Sequence, residues 1–254
     1  MPVFLGFAFL LGAIVGSFLN VCIYRIPAGE SIVRPASRCP KCGQAIRWYQ
    51  NVPILSWLLL RGKCAACGVA ISPRYPFVEA LTGVLFALVV YRFGLQYFVP
   101  VLWIFAAALV VITFIDLDHQ IIPDVISLPG IGIGFLCSFV IPWISWTDSL
   151  IGILLGGGSL YLVAAGYQWL TKKEGMGGGD IKLLAMIGAF LGWKAVLPVI
   201  FLSSLIGSLI GVPVMLVKKA DGQLAIPFGP FLALGAVIYL LWGRGLISWY
   251  LSLF

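Results

Sequence analysis

The sequence predicts an all-α polytopic membrane protein of about eight transmembrane helices, with a small cytoplasmic four-cysteine zinc-binding module after the first helix. Composition and chain length together predict this class. The chain has 254 residues, of which 61% are hydrophobic and 10% charged, with a mean hydropathy of +1.09, whereas soluble domains are about a quarter charged. Eight spans of ~20 residues would use ~160 residues, which leaves little chain for soluble domains.

The distribution of positive charge predicts the orientation in the membrane. The net charge is +7, and half of the 16 Lys and Arg residues lie between Arg25 and Arg74. The positive-inside rule places this segment in the cytoplasm and the N-terminus outside. The same rule explains the basic segment without an acidic ligand, so we expect the lipid bilayer as a partner and no nucleic acid.

The first apolar run covers residues 3–24 and ends at Arg25. It is long enough to span a bilayer and has no basic segment before it, so we interpret it as a transmembrane helix and not as a signal peptide. We expect three parts: a first helix (1–24), a cytoplasmic module (25–76) and a membrane bundle (77–254). Asn20 lies in the last turns of the first run, where a polar amide needs either a partner on another helix or a cavity.

The predicted module holds four cysteines in two Cys-x-x-Cys-Gly motifs that are separated by 21 residues: Cys39, Cys42, Cys64 and Cys67. Paired turns of this kind present four thiolates to one zinc ion, although the separation is one residue beyond the usual range. Two disulfides are disfavoured because cytosolic thiols stay reduced, and redox-active pairs are the remaining alternative. A site closed by four sulfur ligands would be structural.

Seven further apolar runs follow the module: 77–91, 98–115, 125–141, 149–170, 181–197, 199–217 and 224–243. Every odd-numbered run should end in the cytoplasm, and the lysine pairs 172–173 and 218–219 follow runs five and seven as the charge rule requires. The glycines at 156–158 and at 207 and 211 predict close helix packing. Cys22 and Cys137 lie within apolar runs and are interpreted as small buried side chains.

Four acidic residues stand at the ends of apolar runs. Asp116 ends run three and Asp180 precedes run six, so both should lie at the cytoplasmic boundary, where ionisable groups are often functional. Asp180 follows a glycine-rich stretch and is also a candidate N-cap. Asp124 is predicted to cap run four, and Glu79, at the start of run two, to be either a helix-dipole partner or a site residue. Residues 118–119 are expected in a solvated turn.

The residue types present restrict the possible chemistry. His119 is the single histidine in the sequence, so a His-Glu-x-x-His metal site is excluded and a Ser-His pair would have to use this residue. The sequence also contains no nucleotide-binding P-loop motif. A pair of aspartates in one site would share a proton, so one could activate water while the other donates to a peptide carbonyl. Composition alone leaves this peptidase chemistry and an ion channel or transporter equally open.

The sequence resembles the bacterial prepilin peptidases, which are bifunctional type IV prepilin leader peptidases and N-methyltransferases. The similarity extends along essentially the whole chain. It rests on the four cysteines and on four segments: Gly16-Ser17-Phe18-Leu19-Asn20-Val21, Tyr75-Pro76-x-x-Glu79, Ile115-Asp116-Leu117-Asp118-His119-Gln120-Ile121-Ile122-Pro123-Asp124, and Gly177-Gly178-Gly179-Asp180 with Lys182.

The resemblance implies a GxGD-type membrane aspartic protease with Asp116 and Asp180 as its catalytic pair. It implies cleavage of the short basic leader of prepilins and pseudopilins after a glycine, at the cytoplasmic face of the bacterial inner membrane. It further implies N-methylation of the new terminal residue, usually Phe, with S-adenosylmethionine, in support of type IV pili or type II secretion. Asn20 and Glu79 are the candidate residues for the methyl donor. Peptidase activity alone, an ion-coupled transporter and a zinc-stabilised scaffold are the alternatives.

Overall fold

The computed structural model describes residues 1–172, 177–218 and 227–252. Over these ranges it is almost entirely helical, and the β-structure consists of two isolated bridges, Arg38 with Ala45 and Lys63 with Ala70. A short 3₁₀ turn occupies Trp48–Asn51. The α-helices are α1 (Pro2–Arg25), α2 (Leu55–Leu59), α3 (Arg74–Phe93), α4 (Val99–His119), α5 (Asp124–Cys137), α6 (Trp146–Thr171), α7 (Gly178–Leu191), α8 (Trp193–Lys218) and α9 (Gly229–Leu251).

The predicted all-α membrane class is confirmed. Over the ranges given above, five helices are long and apolar enough to cross a membrane: α1, α3, α4, α6 and the part of α8 from Trp193 to Met215. Two shorter apolar helices lie at Asp124–Cys137 and Gly229–Gly243. Together with the 14-residue α7, these helices correspond in order to the eight predicted apolar runs.

The predicted boundary between runs six and seven was wrong. We placed it near Pro198, but α7 ends before Gly192 and α8 begins at Trp193. Gly192 has φ +78°, a conformation that glycine adopts without steric cost and that commonly ends helices. Pro198 lies within α8, where neighbouring side chains and a local adjustment can compensate for the missing N–H.

Compact packing divides the chain into two units, Met1–Val111 and Ile112–Phe254. In the first unit α1 and α3 pack antiparallel at very short range. A Cβ on Gly12 would lie 2.7 Å from the carbonyl oxygen of Thr82, and one on Gly16 would lie 2.7 Å from Glu79 Cα. Glycine is therefore required at both positions, because any side chain would separate the two backbones.

The second unit is built around α7, whose residues from Leu183 to Leu191 are all buried. Helix α6 packs antiparallel against it. Gly152 meets Gly188, and a Cβ on Gly156 would lie 2.5 Å from the carbonyl oxygen of Leu184. The expected close packing at residues 156–158 is thus confirmed at Gly156, whereas Gly158 has open space beside it.

Helices α8 and α9 also pack antiparallel within the second unit. A Cβ on Gly207 would lie 3.3 Å from the ring of Phe231, which confirms the expected helix contact there. The Ser203 hydroxyl donates to the Phe231 carbonyl at 3.0 Å. Cys22 is buried as expected, but Cys137, the last residue of α5, is only partly buried.

Candidate active site and metal centre

Asp116 lies in the last turn of α4 and is 5% exposed. Its Oδ2 accepts a hydrogen bond of 3.0 Å from the main-chain N–H of Gly229, the first residue of α9. A carboxylate bound in this way has a fixed orientation, because the donor belongs to the backbone of a helix terminus. Burying an acidic side chain in an apolar helix costs free energy, and residues that bear this cost in membrane proteins are often functional.

Asp180 is the third residue of α7 and is partly buried. The N-cap of α7 is Gly177, and the Asp180 N–H donates to the Gly177 carbonyl at 3.2 Å. The interpretation of Asp180 as the N-cap was therefore wrong. An acidic group in the first turn still lies at the positive end of the helix dipole. Gly175 and Met176, which begin the glycine-rich stretch, lie outside the described residues.

Ile122 brings the two aspartates to one site. A Cβ on Gly179, next to Asp180, would lie 2.8 Å from Ile122 Cβ, and a Cβ on Gly229 would lie 3.3 Å from Ile122 Cδ1. The glycine backbones at 179 and 229 therefore let the 120–123 connection lie against both acidic residues.

Other predicted roles near these aspartates need correction. Asp118 and His119 are exposed, but they belong to the last turn of α4 and not to a separate turn. Asp124 is the first residue of α5, whose N-cap is Pro123. The Asp124 carboxylate instead pairs with Lys182, at 2.6 and 2.8 Å from Nζ. The sequence analysis did not recognise this ion pair, because residues that are 58 positions apart share no local pattern.

The four cysteines of the module come together in the first unit. Their Sγ atoms all lie within 4.8 Å of one another, and Cys39 Sγ is 3.9 Å from Cys67 Sγ. A tetrahedral zinc site with Zn–S bonds of about 2.3 Å requires sulfur separations of about 3.8 Å. This cluster of four free thiols could hold such an ion.

The two Cys-x-x-Cys-Gly motifs form the same loop twice. In each loop the N–H of the glycine bonds to the carbonyl of the first cysteine at 2.9 Å, from Gly43 to Cys39 and from Gly68 to Cys64. Both glycines have positive φ, +71° and +70°, which explains why glycine follows each second cysteine. The loops thereby turn both thiols of each motif toward one point.

The main chain of each loop stabilises the thiolate of its first cysteine, whereas burial and the neighbouring thiols raise the pKa of Cys42 to about 11 despite the main-chain N–H of Gln44. The N–H groups of Cys42 and Lys41 lower the pKa of the Cys39 thiol to about 6. In the second loop, the N–H groups of Cys67 and Ala66 lower the pKa of Cys64. A lowered thiol pKa favours the deprotonated form, which is the form that binds metal.

A cavity of about 870 Å³ lies between the module and the ends of α1 and α3, lined by Ser17, Asn20, Glu79, Trp57 and residues of both cysteine loops. This volume is within the usual range for small-molecule sites. Asn20 and Glu79, 8% and 7% exposed, both line this cavity. The Asn20 amide also joins two helices, donating to Gly16 O at 3.2 Å and Tyr75 O at 3.1 Å.

Glu79 is more than a partner for the helix dipole. It lies in the second turn of α3, and its Oε2 accepts the N–H of Ile54 at 2.7 Å. The Ser17 side chain also hydrogen-bonds to this carboxylate. Ile54 has φ +63°, a conformation that strains a β-branched residue and is concentrated at functional sites. Sequence reasoning missed Ile54, and no motif marks it.

The chain is similar to two families of bacterial peptidase domain. Residues 10–93 match the bacterial peptidase A24 N-terminal domain, and residues 103–212 match the type IV leader peptidase family. These two matches include every site residue described above except Gly229.

Curated relatives extend the similarity along the chain. A prepilin leader peptidase/N-methyltransferase of Stutzerimonas stutzeri is 38% identical over 96% of this chain and 93% of its own length. Its namesake in Neisseria gonorrhoeae is 42% identical over 91% and 88%. A third, from Myxococcus xanthus, is 45% identical over 87% of this chain, which spans 66% of that relative's length. No solved structure matches the sequence.

Proposed function

This chain belongs to the type IV leader peptidase family, and we propose that Asp116 and Asp180 are the catalytic pair with which it cleaves prepilins. Its activities are prepilin processing and N-methylation, as the names of its relatives state. The observation that carries the assignment of the pair is the common contact of Ile122 with Gly179 and with Gly229, the donor to Asp116. Each acid is then within reach of one peptide bond.

Peptide hydrolysis by this pair requires two different protonation states. The ionised carboxylate takes a proton from water as the water oxygen attacks the scissile carbonyl, and the protonated carboxyl group donates to the carbonyl oxygen. Collapse of the tetrahedral intermediate then breaks the C–N bond, and the new amine takes up a proton. The Gly229 N–H holds Asp116 in a fixed orientation throughout. Because coupled carboxylates titrate as a pair, the general base is assigned to the two aspartates together and not to either one.

The peptide is the leader junction of a prepilin or pseudopilin whose hydrophobic segment lies in the inner membrane. We place the N-terminus outside and the active site at the cytoplasmic face, on the basis of the positive charge between Arg25 and Arg74. Lys173 and Lys219, which support the same orientation, lie outside the described residues. With this orientation the basic leader would lie at the cytoplasmic face beside the two acidic side chains, and cleavage would follow its glycine.

We place methylation in the 870 Å³ cavity of the first unit. S-adenosylmethionine would supply a methyl group there, and its ammonium and sulfonium charges suit the buried Glu79 carboxylate. The amide of Asn20 offers a second polar contact. The pilin amine would have to lose a proton to water first, and transfer of the methyl group to its nitrogen would release the donor as a neutral thioether. The four cysteines would bind structural zinc beside this cavity, which fits their spacing.

The test is the intact mass of a prepilin after incubation with purified enzyme and S-adenosylmethionine. Wild type should yield a product without its leader and one methyl group heavier than the unmodified mature chain. Asp116→Asn and Asp180→Asn should leave the substrate uncut, whereas Asp118→Asn, a matched change on the exposed side of α4, should not. Glu79→Gln should yield cleaved but unmethylated product.

Three results would contradict parts of this assignment. Full cleavage by Asp116→Asn or Asp180→Asn would refute the catalytic pair. Normal methylation by Glu79→Gln would refute the proposed methyl-donor site. An uncut substrate with folded wild-type enzyme, together with proton-linked ion flux, would favour the transporter alternative.

A further inference from the structure

A bidentate ion pair joins the beginnings of two helices beside the candidate active site. Lys182 Nζ lies 2.6 Å from Asp124 Oδ1 and 2.8 Å from Oδ2. Asp124 is the first residue of α5, and Lys182 follows Asp180 by two residues in α7. The pair therefore connects the helix that carries one candidate catalytic aspartate to the segment that follows the other.

The ion pair is the terminal contact of a close helix interface. Helices α5 and α7 run parallel, since Gly130 meets Met186, and a Cβ on Gly134 would lie 2.8 Å from Ala189 Cβ and from the Phe190 ring. Positions 182, 186 and 190 repeat every four residues and so share one face of α7. Two glycines fix how closely the helices approach, and the charged pair fixes their register at the end nearest Asp180.

The same pair restrains the connection that reaches both aspartates. Ile122 precedes Asp124 by two residues and lies against Gly179 and Gly229. Pro123, the N-cap of α5, makes the intervening backbone stiff. When Lys182 holds Asp124, Ile122 is consequently held in its place between Gly179, which precedes Asp180, and Gly229, which donates to Asp116.

The exposure of the pair indicates a role in geometry more than in stability. The Lys182 and Asp124 side chains are 37% and 56% exposed, and ion pairs exposed to this degree add little to global stability. Lys182 Nζ contacts both carboxylate oxygens of Asp124, so the charge of this α7 residue is engaged with α5.

We propose that Asp124 and Lys182 are positioning residues for peptide cleavage, which set the distance between the two catalytic carboxyl groups through Ile122. This inference rests on the proposed catalytic role of Asp116 and Asp180. Misplacing a reacting group by about 1 Å costs on the order of 100-fold in rate. A partial displacement transmitted through one connection should lower kcat for cleavage by about tenfold, with KM for the prepilin little changed.

The experiment compares charge reversal with charge exchange. Asp124→Lys and Lys182→Asp each place like charges together, and the double variant restores an opposite pair in exchanged positions. Lys182→Met is added to remove the positive charge alone, and Lys194→Met, in the first turn of α8, serves as its matched lysine control. Cleavage of a prepilin and methylation of a pre-cleaved pilin peptide are measured on each full-length enzyme, and the melting temperature of each variant reports whether the protein is folded.

The expected result is a tenfold loss of kcat in each single variant, recovery of most of that loss in the double variant, and unchanged methylation. Single variants within twofold of wild type, or a double variant no better than the singles, would overturn the proposal. A parallel loss of methylation would show general unfolding and would overturn it as well. If Asp116→Asn and Asp180→Asn also cleave normally, the catalytic assignment fails instead of the positioning role.

Discussion

Replacing Gly229 by alanine should impair cleavage through one steric contact. A Cβ at this position would lie 2.6 Å from Asp116 Oδ2 and 3.3 Å from Ile122 Cδ1. Real Cβ contacts are almost never shorter than 3.0 Å and are rarely shorter than 3.4 Å. The Asp116 carboxylate must therefore move by about 0.4 to 0.8 Å, because it cannot rotate away without losing the Gly229 N–H.

The expected effect follows from that displacement. Since about 1 Å of misplacement costs on the order of 100-fold, Gly229→Ala should lower kcat for prepilin cleavage by about 10- to 100-fold, which corresponds to about 1.4 to 2.7 kcal/mol of barrier. The assay is single-turnover cleavage followed by mass spectrometry at saturating substrate. Methylation of a pre-cleaved peptide should remain at the wild-type rate.

Gly158→Ala is the matched control, because a Cβ there has open space and alanine favours a helix. It should cleave at the wild-type rate. Wild-type cleavage by Gly229→Ala would refute the reasoning, since it would mean that the position of the Asp116 carboxylate does not limit the reaction.

Two further predictions concern zinc and helix packing. Cys39→Ser should remove about one zinc per chain, measured by elemental analysis, and abolish methylation while leaving cleavage within about twofold, because a structural four-cysteine site fails when one ligand is lost; retained zinc would contradict it. Gly188→Ala should lower thermal stability by about 1–3 kcal/mol, because its Cβ would enter the backbone of Gly152; an unchanged melting temperature in detergent would show that α6 and α7 separate at little cost.

Features encoded by short stretches of sequence were predictable. The apolar runs gave the helices because lipid demands about 20 apolar residues per span, and the cysteine motifs placed four sulfur atoms together because each motif forms its own loop. The errors at helix ends, including the boundary placed near Pro198, followed from cap geometry. Asp180 is preceded by several glycines, and the sequence alone could not decide that Gly177 is the N-cap.

Features formed between distant segments were not predictable. Gly229 donates to Asp116 across 113 positions, and Lys182 pairs with Asp124 across 58. Gly229 and Lys182 belong to no repeating sequence pattern that would reveal these contacts. In a sequence, an ion pair also looks the same as two separately solvated charges. The catalytic and methyl-donor roles, the three-part division of the chain and the orientation in the membrane stay predictions.

The close contact of α1 with α3 has a consequence for how the intervening segment evolves. Asn20 bonds to the Tyr75 carbonyl at 3.1 Å, so the two ends of the segment between the helices are held side by side by the helices themselves. Because the helices hold the two ends of the segment together, a longer segment adds little loop-closure entropy to the cost of folding. The cysteine loops can thus be exchanged, shortened or lost as one unit while the pairing of α1 with α3 is kept.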